Sequence, residues 1–143
     1  GGIGLLFRLT VDDYHHYCYV DSGVKTSNRK IKGVLHTVNP IANDLYPIYK
    51  ENSREYCMLR TENFGDVVCV EIGALMVGKI TNLQGKGAVK KGAEKGYFEF
   101  GGSSVMVLVE KDKVVLDEDI VKNSADGYET IVKMGEGIGR KLS

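Results

Sequence analysis

The chain has 143 residues and no net charge, with 19 Lys and Arg against 19 Asp and Glu. That length suits one domain with its own core, and the balance excludes the broad basic surface of a general nucleic-acid binder. Three cysteines, Cys18, Cys57 and Cys69, lack C-x-x-C spacing, which points away from a zinc site and from a disulfide framework.

The chain opens on Gly1-Gly2-Ile3-Gly4 without Met and reads as a segment cut from a longer polypeptide. No signal peptide is visible, and no apolar run reaches the ~18 residues of a spanning helix. Leu5 to Thr10 reads as a strand, and aromatic-rich Tyr14 to Val20 as extended. Gly33 to Val38 reads as a strand ending at the Asn39-Pro40 turn. Pro47 rules out a long helix between Asn43 and Asn52 and leaves room for a short turn of one. Glu55 to Arg60 and Asp66 to Ile72 flank Asn63-Phe64-Gly65-Asp66 and read as a hairpin, with Cys69 as a small core residue. Ala74 to Ile80 continues the sheet. Gly85 to Gly96, rich in Gly and Lys, reads as a loop. Ser103 to Glu110 is apolar at alternate positions on both faces and is predicted to be a central strand. Asp117, with Glu118 and Asp119, is placed to cap a short helix reaching about Asn123. Glu129 to Met134 is predicted to be the last strand. These elements predict a mainly β, single-domain sandwich or barrel-like fold with one or two short helices.

Two glycine patterns carry no site. Gly135-x-Gly137-x-Gly139 lacks room for the helix and strand of a dinucleotide fold, and the lysines around Gly87 lack the spacing of a phosphate loop. His15 and His16 are adjacent and His36 stands apart. Adjacent strand residues point to opposite faces, so no metal site is expected.

The chemistry concentrates in Gly92 to Val105. A turn of small residues, Gly101-Gly102-Ser103-Ser104, leads into an apolar strand. Gly102 leaves its own carbonyl open, and Ser103 sets a hydroxyl beside it, the arrangement an intramolecular acyl transfer needs. Lys95-Gly96-Tyr97-Phe98-Glu99-Phe100-Gly101-Gly102-Ser103-Ser104-Val105 resembles the self-cleavage segment of the pyruvoyl-dependent phosphatidylserine decarboxylases. Other blocks resemble that family in order: Arg8-Leu9 with Asp13-Tyr14-His15; Gly33-x-Leu35 with Val38-Asn39-Pro40; Glu51-Asn52-x-Arg54; Phe64-Gly65 through Val70; and Gly73-Ala74 with Val77-Gly78.

The resemblance implies a catalytic domain over 1–143, truncated at its N-terminus and completed by an upstream segment of the same protein. It implies self-cleavage at Gly102/Ser103, with Ser103 becoming a covalent pyruvoyl cofactor. Phosphatidylserine would then lose carbon dioxide through a Schiff base to that group, giving phosphatidylethanolamine. His15 matches the family's proton-donating histidine. Ser104, His36, His16 and Cys18 are supporting candidates. The implied partners are the lipid substrate and a membrane surface met peripherally on the cytoplasmic side, and a homodimer is compatible; the fragment itself is expected to be soluble, and no nucleic acid is expected. The family's second histidine falls on Cys18 here, with His16 as a substitute on the same face, and its partner aspartate lies upstream. That pair of departures predicts an unprocessed, inactive Gly102-Ser103 bond in this segment. Two readings compete with the decarboxylase. One is a truncated or decayed β domain that only binds lipid headgroups, which has no need of Gly102-Ser103 and His15. The other is a pyruvoyl enzyme for a soluble amino acid, against which the Val-Asn-Pro and Val-Gly blocks stand.

Overall fold

A computed structural model describes residues 1–9, 15–31, 53–73, 79–99 and 103–142. The structure is dominated by antiparallel strands. In chain order they are β1 (Gly2–Leu9), β2 (His16–Cys18), β3 (Gly23–Lys25), β4 (Arg29–Ile31), β5 (Arg54–Thr61), β6 (Asp66–Gly73), β7 (Lys79–Asn82), β8 (Gly87–Val89), β9 (Glu94–Glu99), β10 (Ser103–Glu110), β11 (Val114–Leu116) and β12 (Gly139–Lys141). The described residues hold one helix, α1 (Glu118–Ala125).

The main sheet runs β1-β10-β6-β5-β3-β8, with β4 pairing the other end of β5. Thus β10 lies between β1 and β6, as its apolar alternation predicts. A second sheet, β2-β9-β7, faces the main one. The inward residues of the main sheet follow strict alternation. Cys57 and Leu59 on β5 oppose Cys69 and Val67 on β6, which oppose Val107 and Val109 on β10. Leu59 and Val67 are fully buried. Each such side chain stabilises the fold by roughly 1.5–3 kcal/mol. The outer face of β10 is less covered than its apolar pattern suggests: Leu108 is exposed, as are Leu6 on β1 and Met58 on β5.

The β5–β6 hairpin forms as predicted. Gly65 takes a positive φ of 69°, which a side chain would oppose. The Thr61 hydroxyl donates to the Gly65 carbonyl, and buried Asp21 accepts from the Asn63 backbone and side chain.

Four readings change. Gly85 to Gly96 is no plain loop: it contains β8 and the start of β9. Of its glycines, Gly96 serves close packing, since a Cβ there would collide with the Thr81 carbonyl oxygen and the Tyr17 ring. Glu129 to Met134 forms no strand; Ile131 there is 94% exposed, and the closing pair is instead β11 with β12. Of Ala74 to Ile80, only Lys79 and Ile80 are described. They begin β7, which joins β9 in the second sheet. The helix forms where expected, but the Asp117 side chain makes no capping hydrogen bond; Glu118 and Asp119 occupy the first turn. The readings of a Gly33 to Val38 strand and of a turn within 43–52 lie outside the described residues.

Candidate active site

Ser103 is the first residue of β10. Its Cα partners are Leu9 on β1 and Gly73 on β6. The alternation that buries Val107 and Val109 also turns Ser103 inward, where it is 6% exposed. Its Oγ is buried and has no hydrogen-bond partner among the described residues. Gly73, directly opposite, contributes no side chain to that space. Ser104 takes the opposite face of the sheet, in a row with Arg8, Ile72 and Arg54. It therefore does not share a face with Ser103.

Below Ser103 the interior becomes polar. Glu71 follows two residues before Gly73 on the same inward face and is 0% exposed. Lys95 Nζ, 2% exposed, donates to Glu71 Oε1 at 2.8 Å and to Asn82 Oδ1 at 2.9 Å. Asn82 Nδ2 donates to Glu71 Oε1 and to Glu55 Oε1, each at 2.9 Å. The Tyr17 hydroxyl donates to Asn82 Oδ1 at 3.1 Å. Glu55 is itself buried and is the Cα partner of Glu71. This network joins the two sheets.

Burial pushes the Glu71 carboxyl above its ordinary value of 4.5, while Lys95 and Asn82 act against that shift. Burial also raises the Tyr17 phenol, with the Glu71 and Glu55 charges adding to it. Lys25, on β3, is buried too and donates to Asn28 and to the carbonyls of Gln84 and Gly85.

His15 and His16 part company. The His15 carbonyl accepts from the Phe98 backbone, which fixes His15 beside β9, five residues before Ser103 in the chain. His16 lies on β2 opposite Tyr97, stacks on that ring and pairs with Glu94, both partners being nearly half exposed. Cys18 shares the His16 side of β2 and contacts the Met134 sulfur at 3.8 Å. Tyr17 between them points inward to the network. His16 and Cys18 are thus on the side of β2 away from the polar interior. His36 and Gly102 lie outside the described residues.

Sequence reasoning missed Glu71, Lys95, Asn82 and Glu55. For Glu71 the signal was present. It sits in phase with Val67 and Cys69 in an apolar run, so alternation alone puts a carboxylate on the buried face.

The family model of phosphatidylserine decarboxylase matches residues 1–140. The chain belongs to the phosphatidylserine decarboxylase family. It is 53% identical over 138 residues to phosphatidylserine decarboxylase proenzyme 2 of Clostridium acetobutylicum, covering 96% of this chain and 47% of that protein. It is 48% identical over 143 residues to the phosphatidylserine decarboxylase proenzyme of Clostridium botulinum strain Eklund 17B, covering 99% and 48%. The proenzyme of Ruminiclostridium cellulolyticum is 44% identical over 142 residues, covering 97% and 47%. The chain therefore spans about half the length of the curated relatives it matches. No solved structure matches it.

Proposed function

We propose that this chain is the catalytic part of a phosphatidylserine decarboxylase, forming phosphatidylethanolamine and carbon dioxide. The observation that carries the reading is Ser103 itself. It heads a central strand, is turned into the interior, lies opposite Gly73 and has no hydrogen-bond partner for its hydroxyl among the described residues. A serine used only to stabilise a turn would spend that hydroxyl on a nearby backbone group. The names of the relatives as proenzymes agree with a chain that must be cut to mature.

In this reading the Ser103 hydroxyl attacks the Gly102 carbonyl, and the chain is cut between them. The site fits a pyruvoyl group made from Ser103, since Ser103 is turned inward and its Oγ is buried without a hydrogen-bond partner among the described residues. When formed, that group would supply an electron-withdrawing ketone carbonyl able to hold an amine substrate for loss of carbon dioxide. The chain's own residues orient and protonate. His15, held to β9 through its carbonyl, is the proton donor at the substrate carbon, a task suited to imidazole. Ser104 and His36 support the site, and His16 and Cys18 act at most from the outer side of β2.

The substrate is a lipid, so the protein works at a membrane surface, and we place it on the cytoplasmic side. No helix of the described residues is long and apolar enough to cross a membrane. The remaining half of a full-length proenzyme and a second copy are the partners of this reading. The test is Ser103→Ala in the full-length protein. Loss of both cleavage and decarboxylation with an unchanged circular dichroism spectrum supports the reading. Normal turnover by that variant removes it.

A further inference from the structure

The interior beside Ser103 holds charges that an ordinary hydrophobic core does not use. Glu71 Oε1 is engaged by Lys95 and Asn82, but Glu71 Oε2 is buried without a hydrogen-bond partner among the described residues. Ser103 Oγ is in the same condition. Native interiors leave few such atoms unmatched, and an unmatched pair on one face calls for a cause.

The register supplies one. Ser103 is opposite Gly73, and Val105 is opposite Glu71. Glu71 is therefore the diagonal neighbour of Ser103 on the inward face, and Gly73 puts no side chain between them. Diagonal neighbours lie roughly 7 Å apart between Cβ atoms, within reach of a long side chain directly or through one water.

We propose that Glu71 is the proton acceptor for self-cleavage at Ser103, with Lys95 and Asn82 holding its carboxylate in place. The proposal rests on the reading of Ser103 as the cleavage residue. It places a base inside this chain, where the Cys18 substitution and the upstream aspartate left none in view. The step balances without any co-reactant. The Ser103 Oγ–H bond breaks, and its proton passes to Glu71 Oε2. Oγ bonds to the Gly102 carbonyl carbon, the Gly102–Ser103 C–N bond breaks, and the nitrogen takes the proton back from Glu71. The product is an ester isomer of the starting chain.

The surroundings suit this role. Glu71 is faced by Glu55 and Cys57 from β5, Cys69 on its own strand, Lys95 from β9, Asn82 from β7, Tyr17 from β2 and Lys25 from β3. Burial and Glu55 make its carboxyl more basic than an exposed one, while Lys95 and Asn82 favour the ionised form needed to accept a proton. A carboxylate placed in water would lack the first property.

The test uses full-length proenzyme as wild type, Glu71→Gln, the double variant Glu71→Leu with Lys95→Met, and Ser103→Ala. Cleavage is followed by intact mass under denaturing conditions, with and without hydroxylamine, which captures the ester as a hydroxamate at Gly102. Wild type is expected to cut and to yield the hydroxamate. Glu71→Gln is expected to cut at least ~10²-fold more slowly and to yield hydroxamate at a correspondingly reduced rate. The double variant removes the Glu71–Lys95 ion pair as a unit and leaves neither partner's charge uncompensated, so it is expected to fold even if Glu71→Gln does not; it is also expected to stay uncut. Wild-type cutting by either folded variant, with Ser103→Ala uncut, overturns the role of Glu71 alone. Cutting by Ser103→Ala overturns the underlying reading and the proposal with it.

Discussion

At Ser103, strand alternation does what no motif can. The Gly102-Ser103 pair names a bond, but the β10 register decides that Ser103 faces inward while Ser104 faces outward with Arg8 and Arg54. His15 and His16 also differ: His15 Nε2 is buried, whereas His16 sits half exposed on the outer side of β2 with Glu94 and Tyr97. Replacing His15 by Ala in processed enzyme is expected to lower turnover by ~10²–10⁴-fold, as for loss of a proton donor, with little change in urea midpoint. Wild-type turnover in that variant would make His15 structural. Glu71 makes a separate prediction about pH. Its carboxyl is raised by burial, so above its ordinary value of 4.5 the folded state holds more proton than the unfolded chain. The contribution of this group to stability is present below that value and is lost as pH rises through its raised value. Urea midpoints measured from pH 4.5 upward are expected to fall more steeply in wild type than in the Glu71→Leu, Lys95→Met double variant. The two facing charges that could mask this, Glu55 and Lys25, remain in both proteins. A steeper fall in the double variant would mean that Lys95, not burial, governs Glu71.

At the level of elements, the long strands were legible and the short ones were not. Leu5 to Thr10, Glu55 to Arg60, Asp66 to Ile72 and Ser103 to Glu110 carry enough alternating apolar residues to declare themselves, and β1, β5, β6 and β10 occupy those places. By contrast, β3, β4, β8 and β11 have three residues each, too few for a period to emerge from sequence. β9 was hidden by its own glycine. Gly96 reads as a loop residue, yet it is there because Tyr17 and the Thr81 carbonyl crowd the position. Gly96→Ala is expected to destabilise the fold by about 1–3 kcal/mol through overpacking of β9 against β2 and β7. An unchanged denaturation midpoint would show that the second sheet relaxes freely. Leu59→Ala, at a fully buried position of the main sheet, is expected to cost about 2–5 kcal/mol in the same assay. The buried network between the sheets was missed because its members, Glu55, Glu71, Asn82 and Lys95, are distant in sequence and meet only through sheet packing.

For the molecule as a whole, mainly β architecture and the family were readable from the ordered blocks around Arg8, Arg54, Gly73 and Ser103. Of the proposed site, Ser103 and His15 stand in recognisable motifs, while the buried charges beneath Ser103 do not. The proposed lipid substrate would require membrane contact, and flotation of the full-length protein with phosphatidylserine vesicles is expected to recover it; indifference to vesicles would favour a soluble substrate. The central claim is that the protein matures by cutting itself at Ser103. Intact mass of the full-length proenzyme under denaturing conditions tests it most directly. The account predicts two fragments, one ending at Gly102 and the other beginning at position 103, blocked to Edman degradation and lighter by one ammonia than a chain starting with serine. A single full-length species after prolonged incubation, or a second fragment with a free amino-terminal serine, would contradict it.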